Sequence, residues 1–289
     1  MREIIFEVSS SEDGLSARAF LNRRGVSKRA AMLLKTGGGL TRNGGLLRTI
    51  DRVYAGERIM VRVPEEKCGF EPNFGLFAPI VYDDEDAVVF DKPAGLAVHP
   101  SAGHYSDTLG NYFAVKFPDA VFRAINRLDK DTTGLCLCAK NALAAPVLPK
   151  GFDKTYYAVI SGIIEQPGVI DLPIGRVSDS IIKREVRNDG EPSVTRYRPV
   201  LYENGQTLLE IKLNTGRTHQ IRVHFSHIGY PLLGDELYGG DCSKIGRQAL
   251  HCGKISFIKP FTDERIYLES RFPDDMKSLF SSVEAVYKS

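Results

Sequence analysis

The sequence has no apolar run near the roughly 20 residues needed to cross a bilayer, so no spanning helix is expected in its 289 residues. Its first residues, Met1-Arg2-Glu3-Ile4-Ile5-Phe6, carry no signal-peptide h-region. Cysteine is sparse and unpatterned. There are five, at Cys68, Cys136, Cys138, Cys242 and Cys252, an odd number with no C-x-x-C spacing. That argues against a zinc site and a disulfide framework alike, and a reducing cytoplasm is the expected compartment. Gly37-Gly38-Gly39 lack the G-K-(S/T) continuation of a phosphate-cradling loop, which excludes nucleoside-triphosphate binding there. There is no H-E-x-x-H. His224 and His227 would share a helix face, but no third ligand is placed beside them or His219, so no metal site is expected. No period of about 20–50 residues recurs, which excludes a repeat protein. What remains, with 43% apolar and 26% charged residues, is an ordinary soluble chain long enough for two domains.

The net charge of +2 hides an uneven distribution. Residues 1–64 hold 12 Lys and Arg against 6 Asp and Glu, a balance of +6; the other 225 residues hold 26 against 30, a balance of −4. Either this is a chance surface bias, or a short polyanion-binding arm is joined to a slightly acidic body. Within the arm the pattern predicts a helix over 10–21 with a serine start, ended by Gly25. A second helix follows over 28–35, capped by Ser27. A hairpin turns at Asn43-Gly44, and a strand covers 58–63. Arg18, Arg23, Arg24, Lys28 and Arg29 crowd the two helices and their junction. Helix, helix, hairpin and closing strand, with arginines on the helices, resembles the small alpha-L RNA-binding domain of ribosomal-protein type. The resemblance implies RNA contacts for these five side chains. The reading divides the chain into an arm at 1–64, a linker at 65–79 that follows Pro64, and a larger domain at 80–289.

In the larger domain a strand pair is predicted around an acidic turn at 83–86, followed by a helix over 107–117 capped by Asp107. Strands are predicted over 153–160 and 208–213, with a polar, exposed excursion over 174–192 between them. A helix is expected after Thr215-Gly216-Arg217. The densest polar stretch is Asn126-Arg127-Leu128-Asp129-Lys130-Asp131-Thr132-Thr133-Gly134, and the uncharged Leu135-Cys136-Leu137-Cys138-Ala139 follows it. A buried strand there would hold the polar loop still at its mouth. Asp129 lies between Arg127 and Lys130, cations that would keep its carboxylate ionised. The alternative is a solvated turn whose surface ion pairs contribute little.

Two further clusters, at 154–157 and 215–227, supply tyrosines and arginines. An ionised aspartate beside a cation can act as a nucleophile or base, an aromatic ring can stack on a flat base, and arginines suit phosphates. Together they fit chemistry on a nucleotide within RNA. Tyr156 and Tyr157 could equally be core strand residues, and Arg217 and Arg222 structural ion pairs.

The stretch 127–135 closely resembles the R-L-D-(R/K)-(D/E)-(T/S)-(S/T)-G-L signature of the RluA-type pseudouridine synthases. Asp91-Lys92-Pro93-Ala94-Gly95-Leu96-Ala97-Val98-His99-Pro100 is similar to that family's first motif, and Lys154-Thr155-Tyr156 to its K-x-Y motif. Thr215-Gly216-Arg217-Thr218-His219-Gln220-Ile221-Arg222-Val223-His224 is similar to its third, and Pro231-Leu232-Leu233-Gly234-Asp235 to the stretch after it. The resemblance implies an α+β fold with a mixed, largely antiparallel central sheet, plus the small N-terminal α/β module. It implies that Asp129 attacks the target uridine, that Tyr156 packs on the flipped base and moves a proton from C5, and that Arg222 pairs with Asp129. Arg127 would fill the stack left by the base, and Arg217 would contact RNA. Asn126 departs from the histidine common before R-L-D. The implied partner is RNA, ribosomal first and transfer RNA second, for a monomer that needs no cofactor or metal. The competing class is a catalytically silent RNA-binding or ribosome-assembly protein on the same fold.

Overall fold

The computed structural model describes residues 2–283 apart from 37, 64, 102, 179 and 282. Gly37 of the glycine break and Pro64 therefore lie outside the described residues. The chain opens with β1 (Glu3–Glu7), which the sequence reading did not identify; Ile4 and Phe6 face inward and the glutamates outward. There follow α1 (Ala17–Arg23), α2 (Lys28–Thr36), β2 (Leu40–Arg42), β3 (Gly45–Leu46) and β4 (Arg58–Arg62). The helix expected over 10–21 is two pieces, a 3-10 turn at Ser10–Glu12 and α1. Gly14 at φ +70 separates them, and Ser16, not Ser10, caps α1 by accepting from the Ala19 N–H at 3.3 Å. Ser27 caps α2 as expected, accepting from the Ala30 N–H at 3.2 Å. Asn43 and Gly44, at φ 49 and 82, make the predicted hairpin turn. The antiparallel sheet β1-β4-β2-β3 shares a core with the helices through Phe20, Leu21, Leu34, Ile59 and Val61.

The larger body carries β5 (Ile80–Asp83), β6 (Ala87–Lys92), α3 (Leu109–Lys116), β7 (Arg123–Ala124), β8 (Thr133–Ala139) and β9 (Asp153–Ser161). It continues with β10 (Gly168–Asp171), β11 (Ile174–Arg176), β12 (Arg184–Val186), β13 (Val194–Glu203) and β14 (Gln206–Leu213). It ends with α4 (Gln220–His227), β15 (Leu250–Ile258), β16 (Arg265–Glu269) and α5 (Asp274–Lys277). The main sheet runs β10-β13-β14-β9-β15-β8-β6-β5, with β16 on β15 and β7 on β8. Its pairings are antiparallel except β15 with β8, which are parallel. This is the mixed, largely antiparallel α+β arrangement expected. Every residue of β8 is buried, as its uncharged sequence implied. The helix expected at Asp107 starts one residue later, where Thr108 and Asn111 form a reciprocal capping box. Asp107 instead pairs with His104 at 2.5 Å.

The excursion expected over 174–192 is a hairpin, β11 with β12. Its Ile174 is buried against Val223 and Tyr238. The sequence hid this because one side of the hairpin is polar and only isolated apolar residues anchor the other. Residues 65–79 lack regular structure but pack along the body: Cys68, Phe70 and Leu76 lie on its core, and Asn111 donates to the Glu71 carbonyl at 2.9 Å.

One glycine explains the central junction. Gly134 has φ +105, and a Cβ there would overlap the Cys252 carbonyl. A glycine is needed for β8 to enter the sheet tight against β15, which leaves the preceding loop at the strand mouth. The small N-terminal sheet docks at the other end of the same strands. Arg2 forks onto Asp86 at 2.7 and 3.0 Å, with Glu85 beside it, and Leu143 and Phe261 join the N-terminal core. Since Ala87 pairs with Ala139 and Lys92 with Gly134, Asp86 and Asp129 stand at opposite ends of the β6–β8 pair.

Candidate active site

The loop before β8 is clamped from three directions. Lys92 sits at the end of β6 because an apolar strand carries it into the interior. Its buried Nζ donates to the carbonyls of Pro93, Leu96 and Lys130, each at 2.8 Å. It thereby ties the 93–96 turn to the Asp129 loop, although burial pulls its pKa down to about 8. Arg247 donates to the Asp131 carbonyl at 3.1 Å. The Thr133 hydroxyl meets His251 Nδ1 at 2.9 Å. Asn126 is also structural: its amide donates to the Leu135 carbonyl at 3.0 Å and accepts from the Leu137 N–H at 2.8 Å. Asparagine serves this buried bracket against β8 with one donor and one acceptor, and the side chain is not free for phosphate.

Asp129 retains 27% side-chain exposure, so it is both reachable and held. The cation that holds it is Arg222 on α4, as the resemblance implied; its sequence neighbours Arg127 and Lys130, which the local reading offered, form no ion pair with it among the described residues. Arg222 Nη1 donates to Asp129 Oδ2 at 2.9 Å. Its Nε and Nη2 donate to Asp235 at 2.7 and 2.8 Å. Asp235 is 1% exposed, so the guanidinium lies between one buried carboxylate and one accessible one. Burial opposes the charge on Arg222, but the two carboxylates outweigh it and raise its pKa. Tyr238 lies under the guanidinium, its ring centroid 5.0 Å from the central carbon.

Asp235 and Tyr238 were not predicted as functional. The sequence offered only the stretch 231–235 as a signal, because the pairing is tertiary. Gly234 delivers Asp235: at φ +71, a Cβ there would overlap the Arg247 carbonyl.

Tyr156 is buried on β9 with Asp129, Arg222 and Arg217 around the same opening. Burial first, then the charges around Cys252 and Asp129, push its phenol pKa well up. Lys154 Nζ lies 5.9 Å from the Tyr156 ring centroid. Arg127 is exposed at the rim and makes no hydrogen bond or ion pair among the described residues. Arg217 is engaged, meeting Glu191 at 2.5 Å. The open cleft beside Asp129, about 600 Å³, is lined by Arg127, Lys130, Lys154, Tyr156 and Arg217 among others. It falls within the roughly 300–1,000 Å³ of small-ligand sites.

The five basic residues of the arm are not equivalent. Arg18, Lys28 and Arg29 are exposed. Arg23 donates to the Ser11 carbonyl at 2.9 Å. Arg24 bonds Glu12 at 2.7 Å and the Glu7 carbonyl at 2.8 Å, and lies over Phe20. Arg24 thus also helps hold the module together. Among the described residues no group of three or more His, Cys, Asp or Glu could hold a metal, and no helix is long and apolar enough to cross a membrane. His224 is spent on Thr195 and the Leu172 carbonyl at 2.8 and 2.9 Å.

Residues 86–227 match the RNA pseudouridylate synthase family. The chain is 38% identical over 303 residues to the ribosomal large subunit pseudouridine synthase D of Pseudomonas aeruginosa, covering 96% of this chain and 94% of that protein. It is 37% identical over 278 residues to the RNA pseudouridine synthase YjbO of Bacillus subtilis, covering 92% and 98%. Among solved structures, human RNA pseudouridylate synthase domain containing 1 superposes with a TM-score of 0.60 at 25% identity, over 76% of this chain and 96% of that one. With the motif residues gathered around one cleft and similarity along nearly the whole length, the chain belongs to the RluA-type RNA pseudouridine synthases.

Proposed function

We propose that this enzyme isomerises specific uridines of large-subunit ribosomal RNA to pseudouridine, with Asp129 as the nucleophile. The observation that carries the reading is the accessible Asp129 carboxylate at the cleft, held through Arg222, which the buried Asp235 anchors. The ribosomal target is supported by relatives from Pseudomonas aeruginosa and Haemophilus influenzae that are named ribosomal large subunit pseudouridine synthase D.

The target base must first leave its stack, at a cost of a few kcal/mol; Arg127, free at the rim, is placed to occupy the gap. The N1–C1′ bond then breaks, the base turns, and C5 joins C1′. C5 gives up its hydrogen and N1 ends with one, so the isomerisation balances without a cofactor. Asp129 acts on C1′, on C6 or on a sugar proton, while Tyr156 packs on the base. Residues 1–64 serve as an alpha-L RNA-binding arm and 80–289 as the catalytic domain, working as a cytoplasmic monomer, and Arg18, Lys28 and Arg29 are exposed arm cations available to phosphates.

The test is a pseudouridine map of cellular RNA with and without the gene, complemented by wild type and Asp129→Asn. Loss of defined sites in large-subunit RNA, restored only by wild type, is expected. Loss confined to transfer RNA would replace the target, and restoration by Asp129→Asn would sink the nucleophile.

A further inference from the structure

We infer that His219 is a positioning residue for Asp129: Tyr238 fixes it with the proton on Nε2, and that N–H joins Arg222 in holding Oδ2, so that Oδ1 is the oxygen presented to the substrate. This rests on the reading of Asp129 as nucleophile.

His219 stands just before α4 with φ +56, a left-handed conformation that a non-glycine residue adopts at a cost. The bend turns its ring toward two partners. Nδ1 lies 2.8 Å from the Tyr238 hydroxyl, and Nε2 lies 3.8 Å from Asp129 Oδ2. Arg222 addresses that same oxygen at 2.9 Å. Oδ1 of Asp129 has no hydrogen-bond partner among the described residues.

The tautomer follows from the Tyr238 hydroxyl, which has one proton to give. Its oxygen already accepts from the Arg184 N–H of β12 at 3.0 Å. If His219 also donated from Nδ1, the phenol proton would be left without an acceptor on a residue only 7% exposed, a costly arrangement. Donation from the phenol to Nδ1 satisfies both groups and leaves the proton on Nε2, aimed at Asp129. Burial, the leading cause, keeps the ring's pKa below the usual value despite the opposing charge of Asp129. The other charged groups facing it are Arg222 on its own helix, Asp235 from the turn after α4, and Arg184 from β12. The donor is therefore neutral at pH 7. At 3.8 Å it is short of a hydrogen bond, and the contact closes by a shift of less than about one ångström when substrate fills the cleft.

Nitrogen-15 shifts of the imidazole read the tautomer directly in the intact protein. Nε2–H is expected in wild type, with the preference lost in Tyr238→Phe. Nδ1–H in wild type would overturn the inference, whatever the variants do. Kinetically, His219→Gln places an amide N–H where Nε2–H stood, and His219→Asn only where Nδ1 stood. His219→Gln should keep kcat within about threefold, while His219→Asn should lose about 10- to 150-fold, the worth of one hydrogen bond to a charged group. KM for RNA should be unchanged in both. Equal activity of the two variants would reduce His219 to a packing role. An active Asp129→Asn would instead remove the nucleophile reading while leaving the tautomer result standing.

Discussion

Asp235→Asn probes whether the buried carboxylate is what makes Asp129 usable. Asp235 accepts two bonds from Arg222, at 2.7 and 2.8 Å, and is 1% exposed. Asparagine keeps the volume, removes the charge and turns one acceptor into a donor facing a donor. Breaking a buried ion pair costs about 3–5 kcal/mol. The pair with Asp129 survives, so the lower end, about 3 kcal/mol, is expected here, or a melting point lower by roughly 6–12 °C at 2–4 °C per kcal/mol. The guanidinium is then free to slide toward Asp129, and the orientation of the nucleophile is lost. One hydrogen bond to a charged group is worth about 1.5–3 kcal/mol, so kcat should fall about 10- to 150-fold. KM should hold, because a buried residue does not touch RNA. Steady-state release of tritium from C5-labelled uridine in a defined transcript measures kcat and KM, and thermal unfolding measures the loss of stability. A kcat within twofold of wild type would show that Asp129 needs no backing from Asp235. An unchanged melting point would show that the buried pair does not stabilise the fold.

Three further outcomes are expected. Arg222→Lys keeps a charge but cannot bridge Asp129 and Asp235 as a planar fork. It should lose at least about 100-fold in turnover, and near-normal turnover at unchanged stability would assign Arg222 another role. His251 is held uncharged, with burial taking its pKa to about 4 from roughly 6.5 when unfolded. The unfolded chain therefore binds the proton first, so this contribution is complete above about pH 6.5. It is lost as pH falls toward 4, by roughly 3 kcal/mol in all. His251→Gln should flatten that part of the unfolding profile, and an identical profile would refute it. A chain beginning at Glu65 should fold but lose stability, since Leu143 and Phe261 become uncovered and Asp86 loses Arg2. Its salt slope for RNA binding should be shallower by about 0.7–0.9 for each phosphate that the arm no longer neutralises, and equal slopes would mean that Arg18, Lys28 and Arg29 do not touch RNA.

How far the sequence could be read follows from how local each signal is. The uncharged run 135–139 announced β8 because five apolar residues have no other economical place. Asn43-Gly44 announced its turn because both positions need positive φ. Arg127-Leu128-Asp129 announced the site, and the resemblance named its partner Arg222, but the residues read by themselves offered only the adjacent Arg127 and Lys130. Neighbours in sequence are visible, whereas Arg222 is 93 residues away and is brought in by the packing of α4. Asp235, Tyr238 and His219 share that difficulty: each matters through a partner on another element. β1 is a different failure. Its alternation E-I-I-F-E is only five residues long, too short to stand out against its surroundings. The hairpin of β11 and β12 failed because periodicity reports one buried face, and a three-residue strand barely has a period.

The arrangement of the two ends of the β6–β8 pair constrains how the proposed substrate engages the enzyme. Asp129 precedes β8 where Gly134 faces Lys92, and the N-terminal sheet is tied at Asp86, beyond the opposite pair Ala87 and Ala139. The five steps from Ala87 to Lys92 span about 17 Å at some 3.4 Å each. The exposed cations Arg18, Lys28 and Arg29 belong to the module anchored at that far end. An RNA that meets both these cations and Asp129 must therefore extend along the body rather than sit wholly in the cleft. A short stem-loop can reach the chemistry alone, and a larger folded RNA can reach both. If the arm binds RNA as proposed, it would favour structured RNAs by adding phosphate contacts at a distance. The clamp of Lys92, Arg222 and Asp235 holds the nucleophile whether or not those contacts are made. Under the proposed roles, affinity for large RNA and rate on a small one would be separable, because the N-terminal module and Asp129 stand at opposite ends of the same two strands.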